Sequence, residues 1–255
     1  MNLIRPWPRD RARRRAYVDD VFERVAPQYD RLTRLLSFGM DDRWKAGLLT
    51  LLREEHRDGS VLDLATGTGA FPLLLRREGH RGPIVGADRS SAMLGLARAK
   101  CDGADVRFVE ADLNALPFAP ESFDVIVMGY GLRYLDDLPR AMAAVHRVLR
   151  PGGMFLTLDF GVPRNSLMRA FCFSYLFVVG TLWGLVLHGR ADTYWHIVES
   201  LEAYPGQDAL VSALTHAGFD HLLVAERIGG LSVVTSAARA AEDGRLARGA
   251  STPVA

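Results

Sequence analysis

The sequence predicts an α/β fold: a Rossmann-like, seven-stranded, mostly parallel sheet with an antiparallel last strand, a helical lid before it and a cap inserted near its end. Three observations carry this. Val61-Leu-Asp-Leu-Ala-Thr-Gly-Thr-Gly69 runs from residues suited to a buried strand into a turn with two glycines, and a helical pattern follows. A second apolar run, Pro83-Ile-Val-Gly-Ala-Asp88, ends in an acid 19 residues beyond Gly69. Further strand-like runs then alternate with helical ones, the signature of βαβ units.

The elements follow in order. Residues 1–15 hold six arginines and one acid, Asp10, and read as a flexible basic N-terminus. No apolar run follows as in a secretory signal, and Pro6 and Pro8 argue against an amphipathic transit helix. The segment is either a solvated tail or a basic foot on an anionic membrane. Val18, Val21, Phe22 and Val25 fall at i, i+3, i+4 and i+7, so 16–26 reads as a helix; Asp41–Glu55 reads as another. Both precede the sheet, where a lid would be built. Strands are expected at 61–64, 83–88, 105–110, 125–129 and 154–160, with Ser90 or Ser91 capping a helix 92–100 and a further helix over Leu138–Leu149. Arg150-Pro-Gly-Gly153 reads as a loop.

Residues 161–206 form an insertion, followed by a helix Asp208–Ala217 with Asp208 as cap and Gly218 as stop. His221–Arg227 and Leu231–Ser236 read as a hairpin joined at Gly229-Gly230. One domain therefore spans 16–236, and 237–255 is expected to be a disordered tail. Within the insertion, Ala170–Leu187 is 18 residues without a charge, long enough for a membrane span. A single span would put strands of one sheet on opposite sides of the bilayer, so the run reads as a buried or interfacial cap helix. It could wall in an apolar substrate or form a dimer contact.

The chemistry starts at the glycine turn. Gly67 and Gly69 let a nucleotide approach the backbone, and the helix that follows presents free N–H groups. A dinucleotide fingerprint needs a third glycine where this chain has Pro72. Asp88 is suited to accepting both ribose hydroxyls, and Asp112-Leu113 to reading the edge of adenine with a side chain and an amide.

Several segments carry a closer likeness: Phe22–Lys45 (FERVAPQYDRLTRLLSFGMDDRWK), Val61–Gly69, Ala111–Val127 (ADLNALPFAPESFDVIV), Gly131-Leu-Arg133, Val145–Phe160 (VHRVLRPGGMFLTLDF) and Tyr194–Phe219. Through them the chain resembles the class I S-adenosylmethionine-dependent methyltransferases, and more narrowly the ubiquinone/menaquinone biosynthesis C-methyltransferase family, over roughly residues 18–235. The resemblance implies S-adenosylmethionine as cofactor, with Asp63, Gly67, Thr68, Gly69, Asp88, Asp112, Leu113 and Gly129 as its contacts. It implies C-methylation of a prenylated quinol, either a demethylmenaquinol or a polyprenyl benzoquinol. Arg133 is expected to stabilise a phenolate, Tyr29 to hydrogen-bond the ring oxygen, and Asp30 or a water to take the proton. His196 reads as a helix-surface histidine. Four positions depart from the family pattern. Thr66-Gly-Thr-Gly-Ala70 stands for Gly-Gly-Thr-Gly-Asp, Thr33 for an asparagine, and Tyr134 for the asparagine after Gly-Leu-Arg. The last two leave another apolar acceptor open, such as a polyketide or a lipid head group; a rival reading of another class is a cofactor-binding scaffold of a membrane complex without turnover.

Composition sets the remaining bounds. At 255 residues and 49% hydrophobic, the chain suits one domain with a large core. A net charge of +1 gives no field for nucleic acid. Cys101 and Cys172 supply no disulfide framework, which suits a reducing compartment, and the seven histidines show no metal-ligand spacing. The expected location is the cytoplasm, with the inner membrane face as a peripheral site.

Overall fold

A computed structural model describes residue 8 and residues 10–241. The chain opens with helices α1 (Arg11–Val25), α2 (Tyr29–Leu36) and α3 (Asp41–Leu49). Then β1 (Val61–Leu64), α4 (Ala70–Arg77), β2 (Ile84–Asp88), α5 (Ser91–Lys100), β3 (Val106–Glu110), β4 (Phe123–Gly129), α6 (Leu138–Val148) and β5 (Leu149–Phe160) alternate. The insertion supplies α7 (Ser166–His188) and α8 (His196–Ala203) before α9 (Gln207–His216), β6 (Phe219–Arg227) and β7 (Ser232–Arg239).

The sheet has the order β3-β2-β1-β4-β5-β7-β6. The first five strands run parallel, and β7 is antiparallel to both β5 and β6. Strand order reverses between β1 and β4, and a parallel α/β sheet binds its ligand outside the strand ends at such a point. Every residue of β1 is buried, as a central strand covered on both faces requires. One face packs on α6 and α9 through Met142, Val145 and Leu214, the other on α3 and α4 through Leu48, Phe71 and Leu75. A third core lies above the strand ends, where Val21, Val25 and Leu32 of the lid meet Cys172, Leu176, Tyr194 and Ile197 of the cap.

Several boundaries differ from the sequence reading. Helix α1 starts at Arg11, so Arg11 and Arg13–Arg15 are helical and not a flexible tail; Asp10 caps them by accepting from the Arg13 N–H at 2.9 Å. Residues 1–7 and 9 lie outside the described residues. Helix α3 stops at Leu49, not Glu55, because Thr50 bonds back to Gly47 and the chain turns. Pro-Gly-Gly is absorbed into β5 at a register shift against β4. Gly206, not Asp208, caps α9, and Asp208 instead holds Arg164 at 2.6 Å. Strand β7 extends to Arg239, so the expected disordered tail loses its first residues to the sheet; 242–255 lie outside the described residues.

Helix α7 is a cap helix, but a half-exposed one. Cys172, Leu176, Gly180 and Gly184, spaced four apart, form its buried stripe. A Cβ at Gly184 would sit 2.5 Å from the Arg190 carbonyl, so glycine lets the returning chain lie against the helix. Leu167, Phe171, Val178, Leu182, Leu185 and Val186 remain more than half exposed. By length and composition α7 could cross a membrane. The strands before and after it pair in one sheet, Met154 with Ala238 through Phe160 with Ser232.

Candidate active site

Two cavities open at the strand ends, and they share a wall. The first lies over β1, β2 and β4 and is lined by Ala65, Gly67, Asp88, Asp112, Leu113 and Gly129 from the sheet and by Val18, Asp19 and Phe22 from α1. The second lies toward β5, under α2 and α8, and is lined by Leu32, Thr33, Leu36, Arg133, Phe160 and His196. Phe22, Tyr29, Tyr130 and Tyr134 line both.

The first cavity has the features of a nucleoside site. Gly67 has φ +53°, and a Cβ there would meet nothing nearer than 4.0 Å, so the turn leaves open space in front of its backbone. Asp88 accepts from the Gly67 N–H at 2.8 Å and the Ser90 N–H at 2.9 Å, which fixes its carboxylate at the rim. Burial raises the Asp88 pKa, opposed by those N–H groups. Asp112 caps the 3-10 turn Leu113–Ala115 and pairs with Arg15 at 2.6 Å. Burial would raise its pKa, but the Asn114 N–H and Arg15 outweigh it and hold it below the ordinary range.

Five expected cofactor contacts, Gly67, Asp88, Asp112, Leu113 and Gly129, line this cavity. Asp63, Thr68 and Gly69 do not line it. Asp63 is buried beneath the turn, accepting from Thr66 Oγ1 at 2.5 Å, and burial pushes its carboxyl up to about 7. Gly69 backs onto Cys101 and Ala97. Thr68 donates to Asp30 at 2.6 Å.

That contact also relocates Asp30. Its other oxygen pairs with Lys100 at 2.6 Å, and it lines neither cavity. Asp30 ties the lid to the core and is not placed to take a proton from an acceptor in the second cavity. Tyr29, one residue earlier, is on the shared wall. Burial raises its phenol above the ordinary value despite the lowering effect of Arg133, so the hydroxyl keeps its proton.

Arg133 lines the second cavity, as its place after β4 suggested, but its charge is not free. Its Nη1 pairs with Asp159 at 2.6 Å, and both side chains are almost fully buried. Nη2 donates to the Tyr134 hydroxyl at 3.2 Å, and the guanidinium lies 4.6 Å from the Tyr134 ring centre and 5.3 Å from that of Phe160. Burial would lower the Arg133 pKa, but Tyr134 and Asp159 outweigh it, and the group stays protonated. Asp159 also accepts from the N–H groups of Leu132 and Phe160 at 2.7 Å each. Its second partner set makes the buried pair sustainable.

Two site residues escaped the sequence reading. His196 is not on a surface: it is 4% exposed, with Nδ1 3.0 Å from the Thr193 carbonyl, and burial pushes its pKa down to about 3. Helix α8 is short and buried at His196, Ile197, Glu199, Ser200 and Leu201, so no polar face betrays its orientation. Tyr130 follows β4 directly, at φ +59°, and donates to Asp41 at 2.8 Å; Asp41 also pairs with buried Lys45 at 2.5 Å. Its position at the end of a central strand was a usable signal. Two of the departures from the family pattern, Thr33 and Tyr134, line the second cavity.

Comparison with known proteins agrees with this architecture. The family model described as the ubiE/COQ5 methyltransferase family matches residues 10–239. The chain is 38% identical to a demethylmenaquinone methyltransferase of Thermus thermophilus, over 78% of this chain and 91% of that one. It is also 38% identical to a 2-phytyl-1,4-naphtoquinone methyltransferase of Thermosynechococcus vestitus, over 86% and 98%. Among solved structures, a possible histamine N-methyltransferase of Thermotoga maritima superposes with TM-score 0.60 at 20% identity, over 86% of this chain and 99% of that one, a likeness of fold alone. The chain is a methyltransferase and belongs to the ubiE/COQ5 family.

Proposed function

We propose that the protein transfers a methyl group from S-adenosylmethionine to a ring carbon of a prenylated quinol, a demethylmenaquinol or a polyprenyl benzoquinol. The observation that carries this is the pair of cavities with one aromatic wall: a nucleoside-type site on one side and an apolar chamber with Arg133 on the other. S-adenosylmethionine, held by Gly67, Asp88, Asp112 and Leu113, supplies an electrophilic methyl on a cationic sulfur. The rings of Phe22, Tyr29, Tyr130 and Tyr134 at the junction suit a positive charge and keep water out.

A quinol carbon becomes nucleophilic as a ring hydroxyl passes its proton to a water. The carbon–methyl bond forms as the sulfur–methyl bond breaks, and the ring carbon then loses its own hydrogen as a proton to solvent. An unperturbed phenol has a pKa of about 10. The protein has to stabilise the oxygen as negative charge grows on it. Arg133 and the protonated Tyr29 are donors on that side of the cavity, and Arg133 Nε has no partner among the described residues. Asp159 damps the field of the guanidinium but holds it in one orientation. The 38% identity to enzymes that are named for naphthoquinone-type substrates supports the same acceptor class.

The exposed face of α7 is proposed to rest on the membrane that holds such acceptors. Tyr175 of α7 donates to the carbonyl of Leu36, a residue of the second cavity, and packs 5.8 Å from the exposed ring of Phe38. An apolar tail leaving that cavity would reach this face. Arg31, Arg34 and Arg169 are exposed nearby and suit anionic headgroups. Co-sedimentation with anionic vesicles tests this. Binding released by salt is expected; resistance to salt and carbonate would mean a span, and a lipid-independent dimer would assign the face to a second copy.

The quinone profile of a strain lacking the gene tests the main reading. Accumulation of a demethylated quinone, reversed by the intact gene, is expected. An unchanged profile would overturn the quinol assignment.

A further inference from the structure

We propose that His196 reads a ring hydroxyl of the acceptor, taking a hydrogen bond from it at Nε2, and so selects free quinols over their alkylated forms. This rests on the second cavity being the acceptor site.

The tautomer follows from the neighbours. Nδ1 is 3.0 Å from the Thr193 carbonyl oxygen, which can only accept, so Nδ1 carries the proton. The ring sits among Phe22, Tyr134 and Tyr194, with centroids 6.2, 6.1 and 6.3 Å away. Burial, together with the positive charges of Arg133 and Arg24, keeps the imidazole neutral. Nε2 therefore presents a lone pair. No described residue donates to it, and the ring lines the cavity.

Among the described polar groups around the cavity the imidazole nitrogen is the strongest neutral acceptor: Arg133 is a donor, and the hydroxyl oxygens of Tyr29, Thr33, Ser37 and Tyr134 accept more weakly, the last three being already in hydrogen bonds. Arg133 can only donate. The Thr33 hydroxyl donates to the Tyr29 carbonyl at 2.9 Å, and the Tyr134 oxygen accepts from Arg133 at 3.2 Å. Ser37 Oγ donates to the Arg34 carbonyl and accepts from the Asp41 N–H. A 1,4-quinol has two oxygens on opposite sides of its ring. One, gaining negative charge, needs donors, which Arg133 and Tyr29 supply. The other, still a hydroxyl, needs an acceptor, and the His196 lone pair is the group suited to that. Tyr134 stands where the family has an amide able to accept, and its oxygen is taken by Arg133. The cap supplies the acceptor instead. With so low a proton affinity His196 does not store the proton; it recognises the hydroxyl and orients the ring.

Binding calorimetry on the full chain with S-adenosylhomocysteine present tests this, using a short-tailed naphthoquinol kept reduced and its two mono-O-methyl ethers. Wild type should bind the quinol about tenfold more tightly than one of the ethers. His196→Phe keeps an aromatic ring and removes the lone pair. It should weaken the quinol about tenfold, bring the quinol-to-ether ratio near one, and leave S-adenosylhomocysteine affinity within about twofold. His196→Gln, whose side-chain oxygen can accept, should recover part of the ratio. His196→Met reads the same ratio should the phenylalanine variant fail to fold. A wild-type ratio in either the Phe or the Met variant overturns the role of His196 alone. Wild type that binds no quinol overturns the acceptor reading as well.

Discussion

The outer rim of the lid and the cap are fastened by different means, although the inner face of the lid shares one apolar core with the cap. The lid is fastened by charge at its rim: Arg15 to Asp112 at 2.6 Å, Asp19 to Arg89 at 2.5 Å, Glu23 to Ser90 at 2.9 Å, and Asp30 to Lys100 at 2.6 Å. The ion pairs are partly exposed, and such pairs contribute about 0–1 kcal/mol each and weaken with salt. The cap is held by Cys172, Leu176, Tyr194 and Leu201, all nearly inaccessible, and each fully buried side chain of this kind contributes about 1.5–3 kcal/mol. In the proposed reaction both substrates enter and leave in every cycle, the cofactor past a charged rim that opens easily and the acceptor beneath the apolar cap, beside the helix whose outer face is apolar.

The contrast can be broken first at its strongest point. Leu176→Ala in the cap empties a fully buried site and should cost about 2–5 kcal/mol in chemical denaturation, whereas Asp19→Ala in the lid should cost no more than about 1 kcal/mol. Equal losses would erase the distinction. On the acceptor side, Tyr29→Phe should lower turnover by about 10²-fold while cofactor affinity changes little. On the cofactor side, Asp88→Ala should do the reverse. Loss of a charge-assisted contact is worth about 1.5–3 kcal/mol, so affinity should fall roughly ten- to hundredfold. Calorimetry with S-adenosylhomocysteine, set beside steady-state rates, separates the two.

Asp63 sharpens the comparison through pH. Its carboxyl is raised to about 7 in the fold because it is buried beneath the glycine turn. The folded state thus holds a proton that the unfolded state releases near its ordinary pKa of about 4. The stabilisation is full below that value and is lost as pH rises toward 7. Asp63→Asn should flatten the fall in stability between about pH 4 and 7 measured by denaturant titration, and a curve parallel to wild type would exclude the assignment. The smallest effect expected is at the rim. Arg89→Ala should weaken cofactor binding only a fewfold at low salt, and the difference should vanish near 1 M salt, where the screening length is about 3 Å.

The cofactor half of the site was far more legible in the sequence than the acceptor half. Val61–Gly69, Asp88 and Asp112-Leu113 sit on consecutive strand ends, where local chain order fixes spatial order, and five of the eight residues expected there line the cavity. The exceptions are informative. Asp63 and Gly69 shape the turn from below and behind, and the spacing of a motif does not separate that from contact with a ligand. Thr68 and Asp30 bind each other across 38 positions of sequence, a pairing no local pattern reports. The acceptor half is assembled from α1, α2, the segment after β4 and the cap, so its residues meet only in the folded chain. His196 was misread because a short helix buried on several sides carries no amphipathic signal. The charge of Arg133 looked available because Asp159, on the neighbouring strand β5, is invisible as a partner until the sheet is built.

The central claim is methyl transfer to carbon across the wall of Phe22, Tyr29, Tyr130 and Tyr134. Purified protein should be given S-adenosylmethionine with a deuterated methyl group and a reduced demethylated quinol. The product should then be located by mass spectrometry and proton magnetic resonance. A trideuteromethyl group on the quinone ring, surviving reoxidation of the quinol, is the predicted result. Label on oxygen, or none with the quinol and transfer to another apolar acceptor, would contradict it.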